Sequence, residues 1–345
     1  MKTTIRDVAE AAGVSAMAVS KVLHGTGQNV RVSDETSELI KKVAHELRYQ
    51  PNHLARSLRS RRTKMIGVVF QHFERLSEQN PYYPQLLNGV MAALFPADYT
   101  LALCPKLVQH SEEGAISDGR FDGILWCRPD FTASSVEGIR HSSIPVVMMH
   151  APPGSASGIP TFCVNNPGAL RLVVEHLVRL GHKRIGFVID PVNEHTAEGR
   201  TRVSAFRDAM DEVGLKGDVL VWDYDCAGLE AYASDDAPHT ALACFSDTLA
   251  GHLLAACQRL RIRVPEDLSI VGFDSSSFCE STTPRLTSVF QPVERIARDA
   301  TTYLLGLISE QGKGNQGLLP VSSLYDCSLD VRDSTSRPSP KRIHT

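Results

Sequence analysis

Long apolar runs are missing from this 345-residue chain. No segment approaches the ~20 residues that a membrane-spanning helix needs. The stretch after Met1 is charged and polar, without the apolar core of a secretory signal, so a cytoplasmic protein with no membrane partner is expected. The eight cysteines include no C-x-x-C pair and no His/Cys spacing suited to a metal, so neither metal nor cofactor is expected. Cys104, Cys127, Cys163 and Cys244 fall in or beside strand-like runs and read as reduced core residues, with disulfides the alternative. Nucleotide and protease signatures are missing too: there is no G-x-G-x-x-G, no P-loop and no H-E-x-x-H. Residues 154–158 have the outline of a nucleophile elbow, but Ala156 stands where a serine would be needed. These absences argue against an α/β enzyme.

The net charge of −3 gives no hint of a nucleic-acid partner, but its distribution does. Residues 1–64 hold twelve Lys and Arg against six Asp and Glu, a net +6, which leaves −9 for the rest. A basic module joined to an acidic body points to a polyanion at one end. A merely solvated basic face is the competing explanation.

Within the basic module, residues 5–23 read IRDVAEAAGVSAMAVSKVL. Ala9 is small enough for a second helix to cross close by. Gly13, four residues on, can take the positive φ of a tight turn. Val19 faces the junction of the two helices. Val8, Ala12, Val14, Val22 and Leu23 supply an apolar face. Thr4 and Asp7 can form a capping box for the first helix, and Ser15 can cap the second. This is the pattern of a helix-turn-helix, with an ordinary αα-hairpin as the alternative. Ser33 starts a third helix, with Asp34 and Glu35 in its positive first turn. Leu39, Ile40, Val43 and Leu47 line one face at helical spacing and are expected to pack inward together. The head is therefore expected to be an all-α bundle over residues 1–50.

Pro51 breaks the third helix. Asn52–Leu58 is helical in pattern but only about two turns long, and helices under ~12 residues are marginal alone. It needs a partner to fold, so 51–64 reads as a hinge and linker. From residue 65 short apolar runs alternate with amphipathic helices. The runs are 65–70, 99–104, 121–127, 144–149, 184–190, 218–222, 240–245 and 268–273; helices are expected over 85–95, 168–180, 200–213 and 247–260. This is βαβ architecture with parallel strands, in one large sheet or two smaller ones. The final stretch, 334–345, is rich in Pro, Ser and charge and is expected to be a disordered tail.

Taken in order, these residues resemble the LacI/GalR family of bacterial transcription regulators. In the head the resemblance rests on Asp7-Val8-Ala9, Ala12-Gly13-Val14-Ser15 and Val19-Ser20-Lys21-Val22-Leu23. In the linker it rests on Pro51-Asn52 with Ala55-Arg56-Ser57-Leu58, and in the body on Leu180-Gly181-His182, Val271-Gly272-Phe273-Asp274 and Gln291-Pro292. The resemblance implies a periplasmic-binding-protein-like pair of α/β lobes over 65–333, joined by three crossovers. One lobe would be 65–163 plus 291–321, the other 164–290 plus 322–333. It also implies a sequence-specific regulator, most simply a repressor, that binds a near-palindromic double-stranded operator as a homodimer and answers to a small effector between the lobes.

By match to the family, the second helix enters the major groove. Ser15, Ala16, Met17, Ser20, Lys21 and His24 are its DNA-facing set. Ala16 and Met17 can touch a thymine methyl but offer no paired hydrogen bonds, whereas Lys21 can donate to a guanine or a phosphate. Asn52, Ala55, Arg56 and Leu58 form the hinge set, with Leu58 as an apolar wedge into the minor groove. The alternatives are that Met17 packs in the bundle, Lys21 is solvated and Leu58 packs on the body.

For the effector, the resemblance implies Tyr83, Arg202, Ser246 and Asp274, with Trp222 or Tyr224 as a second aromatic wall. Arginine, carboxylate and aromatic ring suit a saccharide. Several residues depart from the family pattern: Ser246 before Asp247, Asn165 before Asn166, Ala205 in place of a frequent glycine, and a long loop after the first strand. A degenerate cleft is therefore an alternative. A sugar-binding protein of the periplasmic kind would share the body but not the basic head.

Overall fold

A computed structural model describes residues 3–25, 30–50, 62–70, 82–104, 119–127, 131–234, 236–311 and 321–339. The chain divides into two compact units, Met1–Thr63 and Lys64–Thr345.

The head holds α1 (Ile5–Ala11), α2 (Ala16–His24) and α3 (Asp34–Glu46). The capping box of α1 is formed: the Asp7 amide donates to Thr4 Oγ1 at 3.4 Å, and the Thr4 amide to Asp7 Oδ2 at 2.7 Å. Those bonds hold the Asp7 carboxyl below its usual range. Ser15 and Ser33 cap α2 and α3. Gly13 has φ +65°, and the Val14 amide reaches back to the Ala9 carbonyl at 3.0 Å, which makes the sharp turn. Val8, Val19 and Ile40 are fully buried at the centre. The apolar residues of α3 and its C-cap are not all buried as expected. Ile40, Val43 and Ala44 are inside, while Leu39 and Leu47 are exposed. A helix contacting two short partners buries only the residues that meet them, and neither Leu39 nor Leu47 does.

The body has two sheets, each of six strands among the described residues. The first lobe contains β1 (Met65–Phe70), β2 (Thr100–Cys104), β3 (Gly123–Cys127), β4 (Val146–Met149), β5 (Thr161–Val164) and β11 (Ser322–Tyr325), in the order β2-β1-β3-β4-β5-β11. All its pairs are parallel. The second contains β6 (Ile185–Ile189), β7 (Asp218–Val221), β8 (Ala241–Cys244), β9 (Ser269–Asp274), β10 (Thr287–Phe290) and β12 (Ser328–Asp330), in the equivalent order β7-β6-β8-β9-β10-β12. Only β12 runs antiparallel to its neighbour. All eight expected runs are strands. β5, β10, β11 and β12 are additional, short segments that apolar run length did not reveal.

Helices cover the sheets: α4 (Tyr82–Leu94), α5 (Ala133–Arg140), α6 (Asn166–Leu180), α7 (Pro191–Glu194), α8 (Ala197–Glu212), α9 (Asp247–Leu260), α10 (Phe278–Ser281) and α11 (Val293–Gln311). The chain crosses between lobes three times, after β5, after β10 and after β11. The third crossover falls at 326–327, not before 322 as expected, because Ser322–Tyr325 pairs with Thr161–Val164 in the first sheet. Each lobe has its own apolar core. All eight cysteines are free, and only Cys327 is less than buried. Among the described residues no helix is long and apolar enough to cross a membrane.

The expected disordered tail is corrected for residues 334–339. Ser334 is fully buried; its hydroxyl donates to the Ile270 carbonyl at 2.6 Å and accepts from the Thr287 amide at 2.8 Å. Thr335 bonds His176, and the Ser336 carbonyl accepts from His182 at 2.8 Å. Polar composition signals disorder only when the polar groups lack partners, and here the second lobe supplies them.

Candidate functional site

On the head, α2 exposes Ser15, Ala16 and Met17, the last at 57%. Lys21 and His24 are half-buried, and the His24 ring meets the Tyr49 hydroxyl at 3.3 Å. Ser20 departs from the expected exposed set, being only 2% exposed. Both α1 and α3 pack on α2, so its buried arc is wider than that of a helix with one partner. The outward stripe is therefore Ala16, Met17 and Lys21, beginning at the N-terminal turn. The hinge residues Asn52, Ala55, Arg56 and Leu58 lie outside the described residues.

The four residues expected to bind an effector meet in one cleft between the lobes of the body. Tyr83, Arg202, Ser246 and Asp274 all line it, with a cavity of about 150 Å³. Each stands at or just beyond the C-terminal end of a strand or on the helix that follows, where open α/β sheets place ligands. Tyr83 lies in the first turn of α4, edge-on to Phe70 at 5.4 Å. Ser246 caps α9 by accepting from the Leu249 amide at 3.2 Å. Tyr224 joins the wall, tilted on His252. Trp222 does not; it packs edge-on against the buried Tyr232.

Arg202, on α8, is only 3% exposed. Its Nε donates to Asn166 Oδ1 at 3.0 Å, Nη1 to the Phe245 carbonyl at 2.6 Å and Nη2 to Glu198 Oε1 at 2.8 Å. Phe273 and Phe245 lie against the guanidinium at 3.8 and 4.5 Å. Asp274 ends β9 with φ +131°, a strained value for a residue with a side chain. It accepts from Gln291 Nε2 at 2.6 Å, and burial raises its carboxyl well above the usual range, with the neighbouring Asp247 adding to the effect. Asp247 is fully enclosed. Ser276 donates to it through both amide and hydroxyl, at 2.9 and 3.0 Å, Ser288 at 2.5 Å and the Cys279 thiol at 3.1 Å. Gly272 is required beside it, because a Cβ there would collide with Asp247 Oδ1. The departure expected to matter, Ser246 before Asp247, therefore leaves the acid in a structural role, fastening the turn that presents Asp274.

Sequence reasoning found Tyr83 in the first lobe but missed Tyr82 and His150 there, and Glu198 in the second. His150 follows β4 with φ +62° and is 8% exposed. The Tyr82 hydroxyl bonds its ring, 3.1 Å from Nδ1. Glu198 Oε2 of the second lobe lies 3.7 Å from His150 Nδ1. Burial lowers the His150 pKa; Glu198 opposes the shift and Arg202 adds to it. One signal for Glu198 was present: it precedes Arg202 by four residues, the helical spacing of an ion pair. Nothing local marked His150.

Comparison with known proteins agrees with both halves. Residues 4–52 match bacterial regulatory proteins of the lacI family, and residues 174–335 match the periplasmic binding protein-like domain. The chain is similar to the HTH-type transcriptional repressor PurR of Vibrio atlanticus (strain LGP32), 30% identical over 321 residues that cover 89% of this chain and 92% of that protein. It is 31% identical to PurR of Haemophilus influenzae (strain PittEE) over 328 residues, covering 91% and 93%. The lac repressor dimer bound to operator and the anti-inducer ONPF has the same fold, with a TM-score of 0.80 at 22% identity over 97% of this chain and 100% of that one. The transcriptional regulator CelR–cellobiose complex aligns with a TM-score of 0.67 at 25% identity over 96% and 100%. The chain thus belongs to the LacI family of DNA-binding transcriptional repressors, with a helix-turn-helix head and a periplasmic-binding-protein-like regulatory body, and it is not an enzyme.

Proposed function

We propose that this chain acts in the cytoplasm as a homodimer on a near-palindromic operator, and that a small polar effector of saccharide type controls it from the interlobe cleft. The observation that carries this reading is the meeting of strand ends from both lobes in one cleft that holds Asp274, a partly exposed acid, together with the rings of Tyr82, Tyr83 and Tyr224. A carboxylate accepts from hydroxyls, and a flat ring covers the C–H face of a sugar. Asp274, Arg202, Ser246 and Tyr83 form the ligand set. The cellobiose held by the CelR relative supports the class of ligand, and the operator-bound lac repressor dimer supports the assembly.

On the DNA side, Ala16 and Met17 meet thymine methyls, Lys21 donates to guanine or phosphate, and Ser15 and His24 flank them. Ser20 supports the helix from within the bundle. Asn52, Ala55, Arg56 and Leu58 form a hinge helix only when paired and on DNA, with Leu58 entering the minor groove. Ordering such a segment costs roughly 1–2 kcal/mol of backbone entropy per residue, which makes it a sensitive switch. A ligand that binds one lobe arrangement better shifts the operator equilibrium, and the effect is reciprocal.

A thermal-shift screen of the full chain against sugars, sugar derivatives and nucleosides tests the reading, followed by operator binding with each hit. Asp274→Ala should abolish the ligand response and leave operator binding intact. Leu58→Ala should abolish tight operator binding and leave ligand affinity off DNA unchanged. A regulator that ignores every small molecule would sink the effector assignment.

A further inference from the structure

Arg202 is the one cation among the described residues lining the cleft, and it is not available as a positive site. Glu198 cancels its charge at 2.8 Å, two further acceptors hold Nε and Nη1, and phenylalanine rings cover its faces. Two N–H hydrogens remain, enough for single bonds to neutral acceptors. Anion recognition by arginine depends instead on an uncompensated charge and a free fork.

Asp274 stands in the opposite condition. One oxygen accepts from the neutral Gln291 amide, and among the described residues no cation pairs with the carboxyl group, the nearby Arg202 being held by Glu198. Asp247, a second acid, raises the Asp274 carboxyl further, and its own oxygens accept from Ser276, Ser288 and Cys279. The imidazole of His150 faces Glu198 and the Tyr82 hydroxyl in a buried setting that favours its neutral form. The described walls therefore carry two carboxyl groups against one cation. In a partly desolvated cleft that imbalance is screened far less than at the surface. Burial, with Asp247 adding to it, raises the Asp274 carboxyl against the opposing pull of Arg202, so a hydroxyl or ammonium from a ligand is the donor its charged form needs.

Resting on the effector reading above, we propose that the cleft rejects anionic molecules and takes a neutral or amine-bearing ligand that donates to Asp274. Glu198 sets this selectivity by cancelling Arg202. A phosphate or carboxylate on the ligand would meet Asp274 uncompensated. A hydroxyl or ammonium would satisfy it, and the rings of Tyr82, Tyr83 and Tyr224 would cover the ligand's apolar or cationic faces.

The test uses the full chain at pH 7.5 and constant ionic strength, with matched probes: glucose, glucosamine and glucose 6-phosphate; adenosine and adenosine monophosphate; and inorganic phosphate. Melting temperature and calorimetric titration are read for wild type, Glu198→Gln, Asp274→Asn and the double variant. Both substitutions keep the shape of the side chain, and circular dichroism checks each fold. Wild type should respond to no anionic probe. The double variant, whose cleft becomes positive, should bind inorganic phosphate at least tenfold more tightly than wild type, and each single variant should gain less. Should the double variant fail to fold, the single variants decide. A phosphorylated probe that stabilises wild type as well as its neutral counterpart would overturn the proposal, as would charge variants that gain nothing for phosphate. A wild type that ignores every organic probe while the variants gain phosphate would count against the effector reading and leave the charge rule standing.

Discussion

Lys21 and Arg202 are both cations on the helices that their units devote to function, and they are treated in opposite ways. Lys21 sits half-buried on a head with net charge +6. Arg202 is 3% exposed within a body that carries −9 beyond residue 64, held by Glu198, Asn166 and the Phe245 carbonyl. The head keeps its functional groups outward, for a partner that brings its own charge. The body folds around its functional groups, which depend on one another. Stability and binding should therefore separate in the head and be entangled in the body.

The largest expected effect follows from the entangled side. Arg202→Met leaves Glu198 and Asn166 buried without their partner, and breaking a buried ion pair costs about 3–5 kcal/mol. Urea denaturation should show that loss in the body transition. A cost below about 1 kcal/mol would mean that water enters the cluster, and the contrast with the head would weaken.

His182 gives the next effect. Its Nε2 donates to the Ser336 carbonyl at 2.8 Å, and its Nδ1 lies 2.9 Å from the Thr240 hydroxyl. Burial pushes its pKa down to about 4. Between about 6.5, the usual value for an unfolded imidazole, and 4 the unfolded chain takes up a proton that the folded one refuses. The stability owed to His182 is therefore full above that window and lost as pH falls through it. The total is on the order of 3 kcal/mol, taking 1.36 kcal/mol per pKa unit. The stability difference between wild type and His182→Gln should be greatest near pH 7.5 and narrow towards pH 4. A difference independent of pH would show that the ring is needed only for packing.

On the head, Lys21→Ala should weaken specific operator binding by about 1–3 kcal/mol if it reads a base. The melting temperature should barely move, since surface substitutions usually stay within about ±0.5 kcal/mol. Uniform weakening on all sequences would assign Lys21 to phosphate. A marked loss of stability would erase the distinction between the two units. The smallest effect is expected at a cap: Thr4→Ala should cost about 1 kcal/mol of head stability, read by amide exchange in α1, without changing the cleft.

Much of this was legible in the residues, and the differences are instructive. The caps at Thr4, Ser15 and Ser33 and the Gly13 turn are local, set by side chains within a few positions of the backbone they bind. Strands such as Met65–Phe70 and Ile185–Ile189 are buried on both faces, so their apolar runs announce them. Thr161–Val164 and Ser322–Tyr325 did not, because short mixed strands depend on the neighbours that pair with them. Leu39 and Leu47 were misread because periodicity shows which residues share a stripe, not how wide the partner is. The segment 334–339 was misread because the Ser334 hydroxyl finds both its donor and its acceptor more than 40 residues away.

The sequence by itself determined the head, the alternation of strand and helix in the body, and the family, because these rest on short-range spacing and order. Only the tertiary structure decided the chemistry of the cleft. Tyr82 and His150 come from one sheet's end and Glu198, Arg202, Asp274 and Gln291 from the other's. Their charges balance or fail to balance only after two lobes, crossed three times by the chain, bring them within reach in a site shielded from water. Electrostatics acts through space and through burial, and neither is written in the order of residues.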